Sequence, residues 1–312
     1  AGTAIMVGTL YALYGYLQRI EGLFYRFAWK YNTIVQQQTA VLHGEELVTD
    51  FEDLKKVKSV SMKDWKVLSI KNLNFSYHEE ERDLHLENIS MDIHRGEKIA
   101  LIGESGSGKT TFMKLVRDLY PINSGKILLD GKYLRKEFKE ISKSISLIPQ
   151  DPEIFSTTIK ENITLGVGKS MDSVKKYTDM AVFTDVAESL PKKFNSSIVE
   201  KGVNLSGGQK QRLALARGLM ASENKEIVLM DESTSSVDTR NELMIYHNIF
   251  NEFKEKTVIA SIHRLHLLNM FDKIYYFDNG KLACSGDLDE LLKKSKSFRL
   301  LWNRYNKSRG KF

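Results

Sequence analysis

The residues with the clearest chemistry lie at 103–111, directly after a short apolar run at 98–102 that predicts a buried strand. They match G-x-x-x-x-G-K-[ST], in which glycines let backbone N–H groups turn towards phosphate oxygens at a helix start, here predicted at 110–119. We expect Lys109 to bind the β- and γ-phosphates of ATP and Thr110 to hold Mg²⁺. The residues predicted to surround the phosphates are Gly103, Glu104, Ser105, Gly106, Ser107, Gly108, Lys109, Thr110 and Thr111.

A second apolar run, at 227–230, predicts another strand, and it ends in two carboxylates, Asp231 and Glu232. In this setting Asp231 is expected to coordinate Mg²⁺ directly or through water. Glu232 is placed to orient and deprotonate an attacking water, a general-base role that contributes about 10²–10⁴ in rate. Taken alone, an Asp-Glu pair after a strand is more often a helix cap, so the assignment depends on the motif at 103–111.

A second phosphate-type helix start lies at 205–209, before a strongly helical run at 210–220. Ser206, Gly207, Gly208 and Gln209 would sit at the N-terminus of that helix, where backbone N–H groups favour anions. One bound ATP does not obviously need two such termini from one chain. We therefore expect this start to serve a nucleotide held by another subunit.

Together these motifs resemble the ABC ATPases, in which LSGGQ is the family signature and closes over ATP held by the P-loop of an opposing domain. The resemblance implies that Tyr77 stacks on adenine and that Gln150 senses Mg²⁺ and touches a membrane domain. It also implies that Asp238 belongs to the D-loop and that His263 acts at the γ-phosphate. The implied catalytic residues are Glu232, His263 and Lys109; the metal residues are Thr110, Gln150 and Asp231; the nucleotide residues also include Tyr77 and, in trans, Ser206, Gly207, Gly208, Gln209 and Asp238.

Further segments resemble the exporter type of this family, in which membrane and ATPase domains are fused. Residues 154–163 resemble the stretch after the Q-loop in exporters, and 199–202, with the acid Glu200, resembles their X-loop. Residues 6–10 and 23–32 similarly resemble the sixth membrane helix of exporters. The sequence departs from the commoner pattern at Ser236-Val237 and at Ile262, but neither departure removes a catalytic group.

The N-terminal stretch at 1–17 contains no charged residue and is at the short limit for a membrane-spanning helix. A signal peptide would carry basic residues before the apolar run, whereas Arg19, Arg26 and Lys30 follow it. The positive-inside rule then places the following residues in the cytoplasm, beneath a cell membrane. Apolar residues recur at helical spacing as far as Leu42, so we expect one long helix that stops near Gly44.

These patterns predict an α/β P-loop ATPase domain with a helical subdomain, preceded by one long helix. The expected boundaries are 1–44 for the last membrane helix and its cytoplasmic extension, 45–66 for a linker and 67–312 for the nucleotide-binding domain. The chain opens without Met and looks like a C-terminal piece whose other membrane helices lie elsewhere. The +6 net charge is mostly interleaved with acids, so no nucleic-acid partner is expected, and the single cysteine, Cys284, excludes an internal disulfide.

The expected function is ATP hydrolysis coupled to export by a dimer of such domains. The alternatives are a soluble ABC ATPase of DNA repair or translation, and a domain that binds ATP as a switch while a partner subunit does the chemistry. Lys109 and Leu205 are too close in sequence for the long coiled coil of the repair type. The cargo and the choice between homodimer and heterodimer stay open.

Overall fold

The computed structural model describes residues 2–56, 58–77, 85–151, 153–198 and 205–309. The chain divides into two units, Ala1–Lys58 and Ser59–Phe312. The exporter-like X-loop at 199–202, with Glu200, lies outside the described residues. The nucleotide motifs all fall in the second unit.

The first unit is one long helix, α1, which spans Gly2–Lys56. The expected stop at Gly44, followed by a linker from 45 to 66, was wrong: the helix runs through Gly44 for twelve further residues. A glycine inside a helix costs only about 0.5–1 kcal/mol relative to alanine, and residues 45–56 are rich in Glu, Leu and Lys, which favour helix. The non-helical connection to the first strand is correspondingly shorter.

Large apolar side chains are exposed along the described part of α1, including Tyr11, Phe24 and Phe27. Within the residues that the structure describes, none of the helices combines the length and the apolar character that crossing a membrane requires. The expectation of a span at residues 1–17 is therefore not confirmed.

The second unit alternates strands and helices, as predicted. Its elements are β1 (Val67–Phe75), β2 (Leu86–His94), β3 (Lys98–Ile102), α2 (Lys109–Val116), β4 (Ser124–Leu129), β5 (Lys132–Tyr133), β6 (Ile145–Ile148), α3 (Ile159–Thr164), α4 (Met171–Met180), α5 (Thr184–Ser189), α6 (Gly207–Ala221), β7 (Ile227–Asp231), α7 (Thr239–Glu252), β8 (Thr257–Ser261), β9 (Lys273–Asp278), β10 (Lys281–Gly286), α8 (Leu288–Lys294) and α9 (Lys296–Arg309). Short 3₁₀ helices lie at Glu137–Glu140, Ser142–Ser144, Lys193–Asn195 and Leu265–Met270.

Two sheets organise this unit. A four-stranded antiparallel sheet has the order β2-β1-β4-β5, and a six-stranded sheet has the order β10-β9-β3-β8-β7-β6. In the larger sheet the five strands from β9 to β6 are parallel, and β10 is an antiparallel edge strand. The predicted α/β architecture is confirmed.

The strands β3, β7 and β8 of the larger sheet are buried on both faces, which explains why they are largely apolar runs rather than alternating ones. Successive residues of β3 point to opposite faces. Ala100 and Ile102 join the apolar cluster that contains α4, α6 and α7, whereas Ile99 and Leu101 join the cluster that contains α2 and the smaller sheet. The strand is therefore fixed from both sides, and the loop that follows it starts from a rigid base.

Helix α6 packs against α3 and α4 and against the edge strand β6. Its approach to β6 is close at Gly218, where an added Cβ would lie 2.7 Å from Ile148 Cγ1. A side chain at that position would push the helix off the sheet. The glycine thus sets the distance between the helical part of the unit and the strand that leads to Gln150.

Candidate nucleotide site

The predicted site residues follow the carboxyl ends of four neighbouring parallel strands. The P-loop follows β3, Gln150 follows β6, Asp231 and Glu232 lie at the end of β7, and His263 follows β8. The carboxyl ends of parallel strands meet at one edge of a sheet, where ligands bind in α/β proteins. The strand order therefore brings together residues that are up to 160 positions apart in the sequence.

The P-loop backbone takes conformations that its glycines allow. Gly103 has a φ of +152°, and a Cβ there would lie 2.3 Å from the carbonyl oxygen of Phe277. Gly108, with a φ of +103°, is the N-cap of α2, and a Cβ there would lie 2.6 Å from Leu86 Cδ2. Because glycine offers no capping side chain, the first N–H groups of α2 point outwards and favour an anion.

Lys109 is buried and lies along the inside of the P-loop. Its Nζ donates to the carbonyl oxygens of Gly103 at 2.9 Å and Glu104 at 3.0 Å. Burial lowers the pKa of the Lys109 ammonium, while the carboxylates of Glu232 and Asp231 act in the opposite direction. The side chain is thus placed as a local positive charge at the loop where phosphates would bind.

Thr110 and Asp231 meet at the base of the site. The Thr110 hydroxyl donates to Asp231 Oδ1 at 3.0 Å. Burial raises the pKa of the Asp231 carboxyl, and the hydrogen bond from Thr110 opposes that effect. The hydroxyl oxygen and the carboxylate oxygens are suitable ligands for Mg²⁺. Proteins commonly hold this ion through one or two carboxylates together with substrate phosphates. Among the described residues no group of three or more His, Cys, Asp or Glu side chains could hold a metal ion.

Glu232 is held at both carboxylate oxygens. Gln150 Nε2 donates to Glu232 Oε2 at 2.9 Å, and His263 Nε2 hydrogen-bonds Glu232 Oε1. The carboxylate is largely buried, whereas His263 is 44% exposed. Glu232 itself has a φ of +44°, a left-handed conformation that non-glycine residues adopt rarely. The position of this carboxylate is consequently determined by the residues around it.

Tyr77 lies beside the start of α2. Its hydroxyl is 3.2 Å from Thr111 Oγ1, and its ring packs edge-on against Phe75, His85 and Tyr120, with centroid distances of about 5 Å. An aromatic ring at the edge of the phosphate loop suits contact with a nucleotide base.

The second helix start has a different geometry. Ser206 and Gln209 form a capping box: Gln209 N–H donates to Ser206 Oγ at 3.3 Å, and Ser206 N–H donates to Gln209 Oε1 at 2.8 Å. Asp238 caps α7 without a capping box: its Oδ1 accepts from Asn241 N–H at 3.0 Å. Within the described part of the chain, no hydrogen bond joins Ser206, Gln209 or Asp238 to the P-loop.

The structure thus separates the predicted residues into two groups. The first group lies around the P-loop and the end of β7, and it comprises the P-loop, Tyr77, Gln150, Asp231, Glu232 and His263. Ser206, Gly207, Gly208, Gln209 and Asp238 lie along a second surface, where a Cβ on Gly208 would be 2.7 Å from the carbonyl oxygen of Ser236 in the loop before α7. The first turn of α6 and this loop are therefore neighbours.

Three residues around the site were not predicted. Gln211, Arg264 and Glu242 form hydrogen bonds with the segment 232–237. A signal for Gln211 was present, because it occupies the same helical stripe as the buried Leu215 and Leu219. A polar residue in such a stripe must find buried partners.

The P-loop, the Thr110–Asp231 pair and Glu232 lie together at one edge of a mostly parallel sheet. This arrangement defines a P-loop nucleotide-binding domain. Residues 86–235 match the model of the ABC transporter family. A putative export ATP-binding/permease protein of Rickettsia bellii is 37% identical over 81% of this chain and 43% of its own length. A putative multidrug export ATP-binding/permease protein of Staphylococcus aureus is 33% identical over 97% of this chain and 53% of its own length.

Among solved structures, a bacterial Atm1-family ABC exporter with ATP bound has a TM-score of 0.71 and 30% identity, covering 80% of this chain and 43% of that one. The chain belongs to the ABC transporter family. It spans about half the length of the curated relatives that it matches. The recognition made from its motifs is confirmed.

Proposed function

We propose that this chain is the ATP-binding and ATP-hydrolysing part of an ABC exporter, acting with a second nucleotide-binding domain. The observation that carries the proposal is the arrangement at one sheet edge of Lys109, the Thr110–Asp231 pair and a Glu232 carboxylate whose two oxygens are both held. These groups supply, in one place, phosphate binding, a metal position and a general base.

In the proposed reaction, Glu232 accepts a proton from a water as the oxygen of that water bonds the γ-phosphorus of ATP. The bond from the γ-phosphorus to the bridging oxygen breaks, which releases ADP and phosphate. Mg²⁺, when bound, neutralises charge on the phosphate oxygens. Lys109 and the outward N–H groups of α2 bind the same oxygens, and Gln150 and His263 orient the Glu232 carboxylate towards the water.

The proposed partners follow from what the chain exposes. Large apolar side chains are exposed along α1, and exposed apolar surfaces of this kind are typical of interfaces with a partner or a membrane. We propose that membrane helices outside this chain bury them. The start of α6, with Ser206–Gln209, and Asp238 would contact a nucleotide held by the P-loop of a second domain. The assembly would sit in the cell membrane with the nucleotide-binding unit on the cytoplasmic side.

The cargo is left as a lipid, a peptide or a drug. The Staphylococcus aureus relative is named for multidrug export and the Rickettsia bellii relative for export alone. Cargo contacts belong to membrane helices, so residues of the nucleotide-binding unit do not choose among these classes.

The proposal is tested by phosphate release from the assembled transporter in membrane vesicles with ATP and Mg²⁺. Glu232→Gln keeps the size of the side chain and removes the base, so turnover should fall by about 10²–10⁴ while ATP binding persists. Glu223→Gln is a matched control, since the Glu223 carboxylate forms a surface ion pair with Lys169, and the change should leave turnover within about twofold. Unchanged turnover in Glu232→Gln would refute the assignment of the base.

Fractionation tests the membrane part of the proposal separately. The full protein should be recovered with the membrane fraction and released by detergent. Recovery wholly in the aqueous fraction without detergent would favour a soluble ABC ATPase instead.

A further inference from the structure

Gln211 is a buried amide on α6, one turn beyond the helix start. It is 4% exposed and lies in the stripe that Leu215 and Leu219 continue. Burying an amide is unfavourable unless its N–H and C=O groups are hydrogen-bonded. The partners of this side chain therefore indicate what it is there to hold.

The three hydrogen bonds that the Gln211 side chain forms with described residues go to the segment that follows β7. Its Nε2 donates to the carbonyl oxygen of Glu232 at 3.3 Å and to Ser235 Oγ at 3.0 Å. Its Oε1 accepts from Ser236 N–H at 2.7 Å. One side chain thus spans the turn that begins at Glu232.

Glu232 is a residue that needs such support. Its φ of +44° lies in the left-handed region, and conformations of this kind persist where the surrounding structure determines them. Gln150 and His263 hold its carboxylate, and its main-chain oxygen accepts from Ser235 N–H at 3.1 Å and, among the described side chains, from Gln211. Rotation of this peptide unit would move the carboxylate relative to the P-loop.

The same segment is also hydrogen-bonded by Arg264. Its guanidinium donates to the carbonyl oxygens of Val237 at 2.6 Å and Ser235 at 3.1 Å, and the buried Glu242 binds it at 3.0 Å. The turn after β7 is consequently hydrogen-bonded both by α6 and by the loop that carries His263. Gln211 forms the bonds from α6.

We propose that Gln211 is a positioning residue for hydrolysis: its amide fixes the peptide of Glu232, and through it the carboxylate that activates water. The proposal rests on the assignment of Glu232 as the general base. Gln211 also connects helix α6, whose N-cap is Ser206, to Glu232, the general base of the chain's own site. Gln211 lies about one turn beyond that N-cap.

The test uses the assembled transporter in membrane vesicles. Gln211→Met keeps the length of the side chain and removes all three hydrogen bonds. We expect kcat for ATP hydrolysis to fall about 10- to 100-fold, because displacement of a catalytic group by about 1 Å has an effect of this size, while KM for ATP stays within about twofold. Gln211→Glu, which still accepts from Ser236 N–H but cannot donate to the Glu232 carbonyl, should lower kcat similarly and serves if the methionine variant does not fold.

Asn162→Leu is the matched control. Asn162 is also a buried amide whose bonds go to nearby main-chain and hydroxyl groups at 155–158, away from Glu232. Its replacement should lower the thermal stability of the protein but leave kcat per folded molecule within about twofold. A kcat loss in Asn162→Leu equal to that in Gln211→Met would mean that the effect is merely structural.

A double-mutant cycle separates this proposal from the assignment of the base. If Gln211 acts through Glu232, Gln211→Met should lower the residual rate of Glu232→Gln by less than about twofold. A further 10- to 100-fold fall in that background would overturn the positioning role, as would an unchanged kcat in Gln211→Met alone. An unchanged kcat in Glu232→Gln would instead refute the base assignment.

Discussion

The chain presents two helix starts of the type that binds phosphate, and their geometries are opposite. At α2 the N-cap is Gly108, which has no side chain to satisfy the first N–H groups, and Lys109 follows at once. At α6 the N-cap is Ser206, whose hydroxyl and main-chain N–H are both bonded by Gln209. We call the helix start at Gly108 the open start, because no side chain caps its N–H groups. We call the helix start at Ser206 the closed start, because Ser206 and Gln209 cap each other.

This difference indicates which start is built to hold a nucleotide within the chain. The open start relies on glycines in conformations closed to other residues and on a buried cation, features that cost stability and favour an anion. The closed start stabilises its own helix and packs against the loop at Ser236 through Gly208. Its remaining outward surface suits a ligand that another domain presents.

Replacing the cation of the open start should have the largest effect. Lys109→Met removes the charge and keeps the stem, and ATPase turnover should fall at least about 100-fold, as on loss of a donor to a charged transition state. Lys114→Met, on the same helix in its last turn, should leave turnover within about twofold. Phosphate release and ATP binding are measured on both. Comparable loss in the two variants would remove the distinction between the open start and the rest of α2.

Asp231→Asn should lower activity and raise stability. Loss of the carboxylate that orients Thr110 should reduce turnover roughly 10- to 100-fold at limiting Mg²⁺. Because burial raises the Asp231 pKa, its ionisation in the folded state lowers stability as the pH rises above the ordinary value of 3.8. The asparagine variant should therefore have a higher free energy of unfolding at pH 7. A lower value there would contradict the burial argument.

Two adjacent glycines, Gly207 and Gly208, test how closely the closed start packs against the loop before α7. Gly208→Ala should lower the free energy of unfolding by about 1–3 kcal/mol, because the new Cβ meets the Ser236 carbonyl oxygen at 2.7 Å. Gly207→Ala meets no heavy atom within 4 Å and should leave stability unchanged or slightly raised. Denaturant unfolding of both variants measures the difference. Equal stabilities would show that α6 and the loop are not in close contact.

The smallest effect is expected at the cap of the closed start. Ser206→Ala removes the side-chain half of the capping box and should lower the free energy of unfolding by about 1 kcal/mol. Ser206→Thr keeps a hydroxyl and should retain most of that stability. If alanine and threonine behave alike in denaturant unfolding, the capping box does not stabilise the helix in solution.

The open start could be predicted because its glycines, Lys109 and Thr110 are contiguous in sequence and each has a stated chemical role. The Asp231–Glu232 pair was predictable for the same reason. The roles of Tyr77, Gln150 and His263 came from resemblance, since a single side chain carries little information alone. The structure now places Gln150 and His263 on the two oxygens of Glu232 and Tyr77 beside Thr111.

Other features depend on contacts between distant parts of the chain. Gln211, Glu242 and Arg264 meet only because α6, α7 and the loop after β8 converge on the turn at 232–237. The prediction that α1 ends near Gly44 is wrong because one glycine costs too little to end a helix that good helix formers continue.

We propose that the open start, at Gly108, serves the chain's own nucleotide and that the closed start, at Ser206, serves the partner's. Assemblies of two copies test this directly when Lys109→Met is used against the open start and Ser206→Glu, whose carboxylate repels phosphate, against the closed one. If each start serves the nucleotide proposed for it, a Lys109→Met copy paired with a Ser206→Glu copy keeps one intact site and hydrolyses ATP. A copy carrying both changes, paired with an unaltered copy, then has two damaged sites and does not. The reverse pattern, with turnover only when both changes lie on the same copy, would contradict this proposal.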